Sequence, residues 1–189
     1  MGVSMFQVIR TDHFIDYTNT TGGSRLRVEQ GSSSFFQGRE FRINEEFNIP
    51  VGGEIVFKFV VGTNTILTFS ELEVDQGGIR YSIWTQAQVV ETTPFSTPVT
   101  IYRKNNTSTA PVIATQNQVL KGGTATFAGI SNSVSRVRTS SGNASRSSTV
   151  SMTTQQRGFP ATTVYARLQS LDGINTASTG VLSLEWQEV

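Results

Sequence analysis

Residues 41–84 read FRINEEFNIPVGGEIVFKFVVGTNTILTFSELEVDQGGIRYSIW. They form the larger part of a stretch, Phe41 to Asn106, in which apolar residues alternate with polar ones. Phe41, Ile43, Phe47 and Ile49 share one parity, as do Ile55, Phe57, Phe59 and Val61, and then Ile79, Tyr81 and Ile83. Successive side chains on a strand point to opposite faces, so this parity sends one face to a core and the other to solvent. The breaks are Pro50-Val51-Gly52-Gly53, Gly62-Thr63-Asn64 and Asp75-Gln76-Gly77-Gly78, residues that supply turns or positive φ. Short strands at this spacing predict an all-β chain, an antiparallel β-sandwich or jelly roll. No stretch longer than about two turns carries helical periodicity with a capping signal.

Outward from this block, strands are predicted near 40–49, 54–61, 65–74, 78–90 and 97–103, with weaker ones near 112–120 and 123–128. Thr162 to Leu168 and Val181 to Gln187 read as closing strands, the last with Leu182, Leu184 and Trp186 on one side. Residues 131–157, rich in Ser, Thr and Arg, read as a long loop or as exposed edge strands. Residues 1–37 read as an N-terminal arm or peripheral strand region, with a strand at Phe6 to Ile9 and a turn at Asn19 to Gly23. Residues 38–189 are expected to form the β-sandwich domain.

A chain of 189 residues can bury enough apolar surface to fold without covalent staples. It has no cysteine, which fits assembly in a reducing cytoplasm. The start, Met1 to Phe6, lacks the pattern of a secretion signal or a myristoylation site. No apolar run approaches the length of a membrane helix. Charged residues make up 15% of the chain, so Ser, Thr, Asn and Gln do most of the solubilising, a composition common on extracellular and virion β-proteins. The net charge of +1 hides an asymmetry. Residues 1–91 hold eleven acids and seven Lys or Arg, whereas residues 92–171 hold eight basic residues and no acid. The two portions should attract. The basic residues are not interleaved with aromatics as in a nucleic-acid stacking platform. The pattern suits an acidic protein surface, including that of a neighbouring identical chain, with Arg136, Arg138, Arg146 and Arg157 as the candidate partner-contact residues.

Catalytic and metal constellations are weak. Asp12, His13 and Asp16 are the one metal candidate, but the chain has a single His and no Cys, short of a zinc ligand set, and no calcium loop is present. Gly129 to Ser133 resembles the start of a nucleophile elbow without its closing Gly. Glu45 with Glu46, or Glu71 with Glu73 and Asp75, offer paired carboxylates, and Glu71 and Glu73 fall on one strand face, an ordinary arrangement on a solvated sheet. The N-x-S/T sites at Asn19, Asn105, Asn106 and Asn143 read as turn residues. No enzyme, cofactor or metal site is expected.

Four blocks carry a resemblance. They are Phe57-Lys58-Phe59, the D-x-G-G-I-x-Y turn at Asp75 to Tyr81, the T-P-V-x-I-Y-R-K-N-N run at Thr97 to Asn106 and the closing G-V-x-S-L-E-W at Gly180 to Trp186. In order and content they resemble a family of bacteriophage virion structural proteins related to the head decoration proteins of tailed phages, and span about two thirds of the chain. The resemblance implies a non-enzymatic late protein of the virion, assembled in the host cytoplasm, that stabilises the capsid shell as a decoration or cement protein. It implies the major capsid protein or other virion proteins as partners and, with the charge asymmetry, a homo-oligomer, a trimer in preference to a dimer. The alternative is a carbohydrate-binding or adhesion module of a tail or head fibre, for which Tyr81, Trp84, Tyr102, Tyr165 and Trp186 supply candidate rings.

Overall fold

The structure, a computed structural model, describes residues 13–20, 23–30, 37–105, 113–139, 148–151 and 157–189. For 13–20, 23–30, 148–151, Ser133 and Arg157 it describes the backbone alone. The first elements are β1 (His13–Thr20), β2 (Gly23–Gln30), β3 (Glu40–Ile49), β4 (Glu54–Val61), β5 (Thr65–Gln76) and β6 (Gly78–Thr85). A 3₁₀ turn at Gln86–Gln88 leads to β7 (Val89–Thr93), β8 (Thr97–Pro98), β9 (Tyr102–Arg103), β10 (Gln118–Lys121) and β11 (Thr124–Phe127). The chain closes with β12 (Ser133–Arg138), β13 (Ser148–Ser151), β14 (Arg157–Phe159), β15 (Thr162–Ser170) and β16 (Ser178–Glu188).

The fold is an antiparallel β-sandwich. Sheet I runs β12-β6-β15-β4-β10-β8 and sheet II runs β13-β5-β16-β3-β9, with β14 also paired to β5. From β3 to β6 each successive strand lies in the opposite sheet, so the chain crosses the sandwich at every connection. β1 and β2 form a separate hairpin in which Thr20 pairs with Gly23.

The parity of the sequence builds the core. Phe41, Ile43, Phe47 and Ile49 of β3 are buried, and β16 alternates buried and half-buried residues along its whole length. They meet Phe57, Ile79, Tyr81 and Leu168 of sheet I. Burying each large apolar side chain contributes about 1.5–3 kcal/mol. The Lys121–Glu45 ion pair joins β10 of sheet I to β3 of sheet II.

Two glycines in the resemblance blocks sit where a side chain cannot. Gly77 alone separates β5 from β6 and turns the chain from one sheet to the other with φ 84°, a conformation that costs other residues free energy. Gly180 lies at a bulge between β16 and β5, where a Cβ would fall on the carbonyl oxygen of Glu73.

A third layer covers part of sheet I. β7 and β11 pair as a two-stranded ribbon, and Val89, Ala125 and Phe127 pack on Val56, Trp84 and Tyr165 of the sheet's outer face. Trp84 lies 5.1 Å from Phe127, ring to ring, and its Nε1 donates to Ser82 Oγ at 3.0 Å. The strand expected over 78–90 is broken here. Gln88 Oε1 accepts from both the backbone N–H and the hydroxyl of Thr85, a cap that bends the chain out of sheet I and into the ribbon.

Other boundaries also differ. The strand expected over 97–103 is reduced to β8 and β9, which pair in different sheets, and that over 112–120 to β10. Within 131–157 the described residues form edge strands, β12 beside β6 and β13 and β14 beside β5. Asn19 and Thr20 belong to β1 and Gly23 to β2, so these three residues of the expected N-terminal turn are strand, while the strand expected at Phe6 to Ile9 lies outside the described residues.

Candidate functional site

The ribbon covers Val56, Trp84 and Tyr165 on the outer face of sheet I and leaves the part at β6 and β12 exposed. There β12 and β6 place Arg136 directly opposite Arg80, both exposed. Directly paired residues on neighbouring antiparallel strands have Cα atoms about 4.5–5.5 Å apart, and like charges so placed repel. Neither guanidinium has an ion-pair partner among the described residues. Arg138, two residues along β12, is also exposed and donates to the Asp172 carbonyl at 3.1 Å. Val134, on the same face of β12, is 46% exposed. By contrast Arg167 is neutralised. It donates to Glu54 through Nε at 2.8 Å and stacks on Phe127 at 4.9 Å.

Of the four arginines singled out from the sequence, the structure therefore brings two together, Arg136 and Arg138. Arg157 sits in β14, on sheet II, and Arg146 lies outside the described residues. Arg80 was missed because it belongs to the acidic first half of the chain. The signal that could have found it is its parity, opposite to buried Ile79 and Tyr81 in a strand with one solvated face.

The acids form their own face. On sheet II, Glu73 pairs with Val181, which pairs with Glu46, and Glu71 lies two residues before Glu73 on β5. Glu46 and Asp75 are exposed and Glu71 and Glu73 half-buried. None of the four has an ion-pair partner among the described residues. Arg42 lies further along β3, beside Glu185. Glu45 and Glu46 do not form a carboxylate pair, because Glu45 turns to Lys121.

Other polar clusters fasten elements together. Tyr165 donates to Glu91 at 2.6 Å, and Lys58 lies 2.7 Å from the same oxygen, tying the ribbon to sheet I. The Lys58 hydrogen bond, and then that of Tyr165, hold the Glu91 carboxyl below its ordinary range, while burial and Glu91 push the Tyr165 phenol up. Glu188, 5% exposed, accepts from Thr115 Oγ1 at 2.5 Å, from Gln116 N–H at 3.1 Å and 3.2 Å, and from Asn117 N–H at 3.4 Å. At the far edge, burial acts to lower Lys104, but its hydrogen bond to Glu185 and the charges of Glu185 and Glu40 outweigh it and hold the group up.

Two hollows among the described residues are lined without any charged side chain. Between the sheets a hollow of about 90 Å³ is lined by Phe59, Leu67, Tyr81, Ile83 and Trp186, well below the ~300 Å³ of small-molecule sites. A neighbouring cleft of about 410 Å³ has Thr85, Asn132 and Thr162 as its polar lining and no charged residue. Among the described residues no three His, Asp or Glu come together to hold a metal ion. His13 and Asp16 lie in β1, and Asp12 outside the described residues. Ser131 lies in the β11–β12 connection beside Ile130, which is 86% exposed. No described helix is long and apolar enough to cross a membrane.

Comparison with protein families, curated proteins and solved structures finds no match to this chain.

The geometry thus leaves two oppositely charged patches as its candidate site, Arg80 with Arg136 on the outer face of sheet I and Glu46, Glu71 and Glu73 on that of sheet II. Of the five rings considered for sugar stacking, Tyr81, Trp84, Tyr165 and Trp186 are buried, and Tyr102 is 50% exposed.

Proposed function

We propose that this chain is a non-enzymatic structural protein of a tailed-phage virion that decorates the capsid and stabilises it through protein–protein contact. The observation that carries the reading is that clusters of unneutralised charge lie on exposed sheet faces, Arg80 and Arg136 on one and Glu46, Glu71 and Glu73 on the other. Such faces engage a complementary surface, whereas substrates and ligands are held in clefts. Support comes also from where the resemblance blocks fall. Asp75 to Tyr81 forms the corner between the sheets, Thr97 to Asn106 includes β8 and β9, and Gly180 to Trp186 is the heart of β16, the strand between β5 and β3. The resemblance is thus carried by the residues that make the scaffold.

The test is quantitative mass spectrometry of purified particles from a producing culture. Copy numbers comparable with those of the shell subunit support decoration. A handful of copies per particle points to a fibre instead, and absence from particles overturns the virion reading.

A further inference from the structure

We propose that copies of this chain bind one another head to tail, the open outer face of sheet I in one copy seated on the outer face of sheet II in the next. On sheet I the contact is Arg80 and Arg136 with Val134 beside them. On sheet II it is Glu46, Glu71 and Glu73 around half-buried Val181. Within each patch the charges are of one sign with an apolar residue among them, and the two signs are opposite; Arg42 lies four residues from Glu46 along β3, and Glu54 on sheet I is paired with Arg167.

The choice of a second copy follows from that complementarity. Arg80 and Arg136 are held in direct cross-strand register without a partner, an arrangement that an incoming carboxylate relieves. The acid cluster that would supply the carboxylates is on the opposite side of the same sandwich, equally without partners among the described residues. A two-fold contact of either face with itself would set Arg against Arg or Glu against Glu. A contact between unlike faces satisfies both, and such heterologous contacts propagate into closed rings or filaments. A nucleic acid fits the basic face less well, because Trp84 and Tyr165 of that sheet are buried beneath the ribbon and present no ring for a base. The contact does not depend on the assembly being a virion.

Analytical ultracentrifugation of the whole chain over a concentration and salt series tests this. Wild type should self-associate at low salt and dissociate as salt rises, since exposed charges are screened within about 10 Å at 0.1 M. Arg80→Glu/Arg136→Glu makes both faces acidic, and Glu71→Arg/Glu73→Arg makes both basic. Each double variant alone should lose association by about tenfold or more. Mixed in equal amounts, they should associate again, because the unaltered acidic face of one meets the unaltered basic face of the other. Circular dichroism and melting confirm that each variant folds. If a reversal does not fold, Arg80→Gln/Arg136→Gln replaces it with the same expected loss. A wild type that stays monomeric at low salt, variants that associate like wild type, or a mixture that does not recover overturns the proposal. So does a monomeric wild type that binds a nucleic-acid oligomer through Arg80 and Arg136.

Discussion

Ser178 holds both backbone groups of Gly78. Its hydroxyl accepts from the Gly78 N–H at 3.1 Å and donates to the Gly78 carbonyl at 3.0 Å, and its side chain is wholly buried. Gly78 opens β6 in sheet I and Ser178 opens β16 in sheet II, so one hydroxyl pins the corner where the chain passes between sheets.

Two substitutions test that corner. Ser178→Ala leaves the buried Gly78 N–H without its acceptor, a loss of about 1–3 kcal/mol. Gly77→Ala forces a side chain into positive φ, with its Cβ 2.5 Å from Ser178 Oγ, and should cost more, since αL strain of about 1–3 kcal/mol adds to the clash. Urea unfolding should show lower midpoints with unchanged slopes for both, the glycine variant being the worse. Equal stability of Gly77→Ala and wild type would mean that the corner relaxes freely.

The Glu188 clasp gives a second prediction. Its buried carboxylate takes hydrogen bonds from Thr115, Gln116 and Asn117, joining the end of β16 to the segment before β10. Glu188→Ala leaves the Gln116 N–H without its acceptor, while the Asn117 N–H keeps Thr115 Oγ1 at 3.1 Å, and should destabilise by about 1–3 kcal/mol. Glu188→Gln keeps one acceptor oxygen but points an NH₂ at donors, so it should recover only part of the loss. Thermal melts of the two variants beside wild type decide it.

The ribbon should respond to acid. Glu91 has its folded pKa depressed from 4.5, by Lys58 first and then Tyr165. A depressed acid contributes stability that is present above the unfolded pKa and lost as pH falls through the folded one. Below about pH 4.5 the ribbon should therefore loosen from sheet I, seen as a loss of amide-exchange protection, relative to the intrinsic rate at each pH, in Val89–Thr93 and Thr124–Phe127 and as a change in fluorescence from Trp84. Glu91→Gln should show faster exchange already at neutral pH and little further response to acid. Tyr165→Phe should weaken the ribbon by about 1 kcal/mol while leaving the lysine contact.

The sandwich was legible because its core strands carry strict parity. β3, β4 and β16 fall almost where the alternation of Phe41, Phe57 and Leu182 sets them. The ribbon was not, since a strand pattern says which face is apolar but not that both faces of one sheet are covered. Val56, Trp84 and Tyr165 look solvent-facing by parity and are buried beneath Phe127. The break that makes the ribbon was visible as Thr85-x-x-Gln88, a capping signature, yet apolar Val89 and Val90 extended the strand reading across it. The charged faces were half legible. A count of charges along the chain separates acidic from basic portions, but only strand pairing sets Arg80 beside Arg136 and Glu73 near Glu46.

The Arg80–Arg136 pair makes a last prediction, on stability rather than association. Like charges directly opposite on a sheet cost roughly 0.2–1 kcal/mol, and here no described acid offsets them. Arg136→Thr removes the repulsion and substitutes a residue that suits an exposed strand position, so the isolated chain should become more stable at low salt. The gain should vanish as salt rises, because the Debye length shrinks from about 30 Å at 0.01 M to about 3 Å at 1 M. Wild type should itself gain stability over that range, and the variant much less. Denaturant melts must be run dilute enough that no self-association contributes, since a partner that binds the folded state also raises apparent stability. A variant that is less stable at every salt concentration would show that the two guanidiniums diverge into solvent without sensing each other. The basic face would then have no intrinsic strain for a partner to relieve, and the head-to-tail contact would lose the cause argued for it.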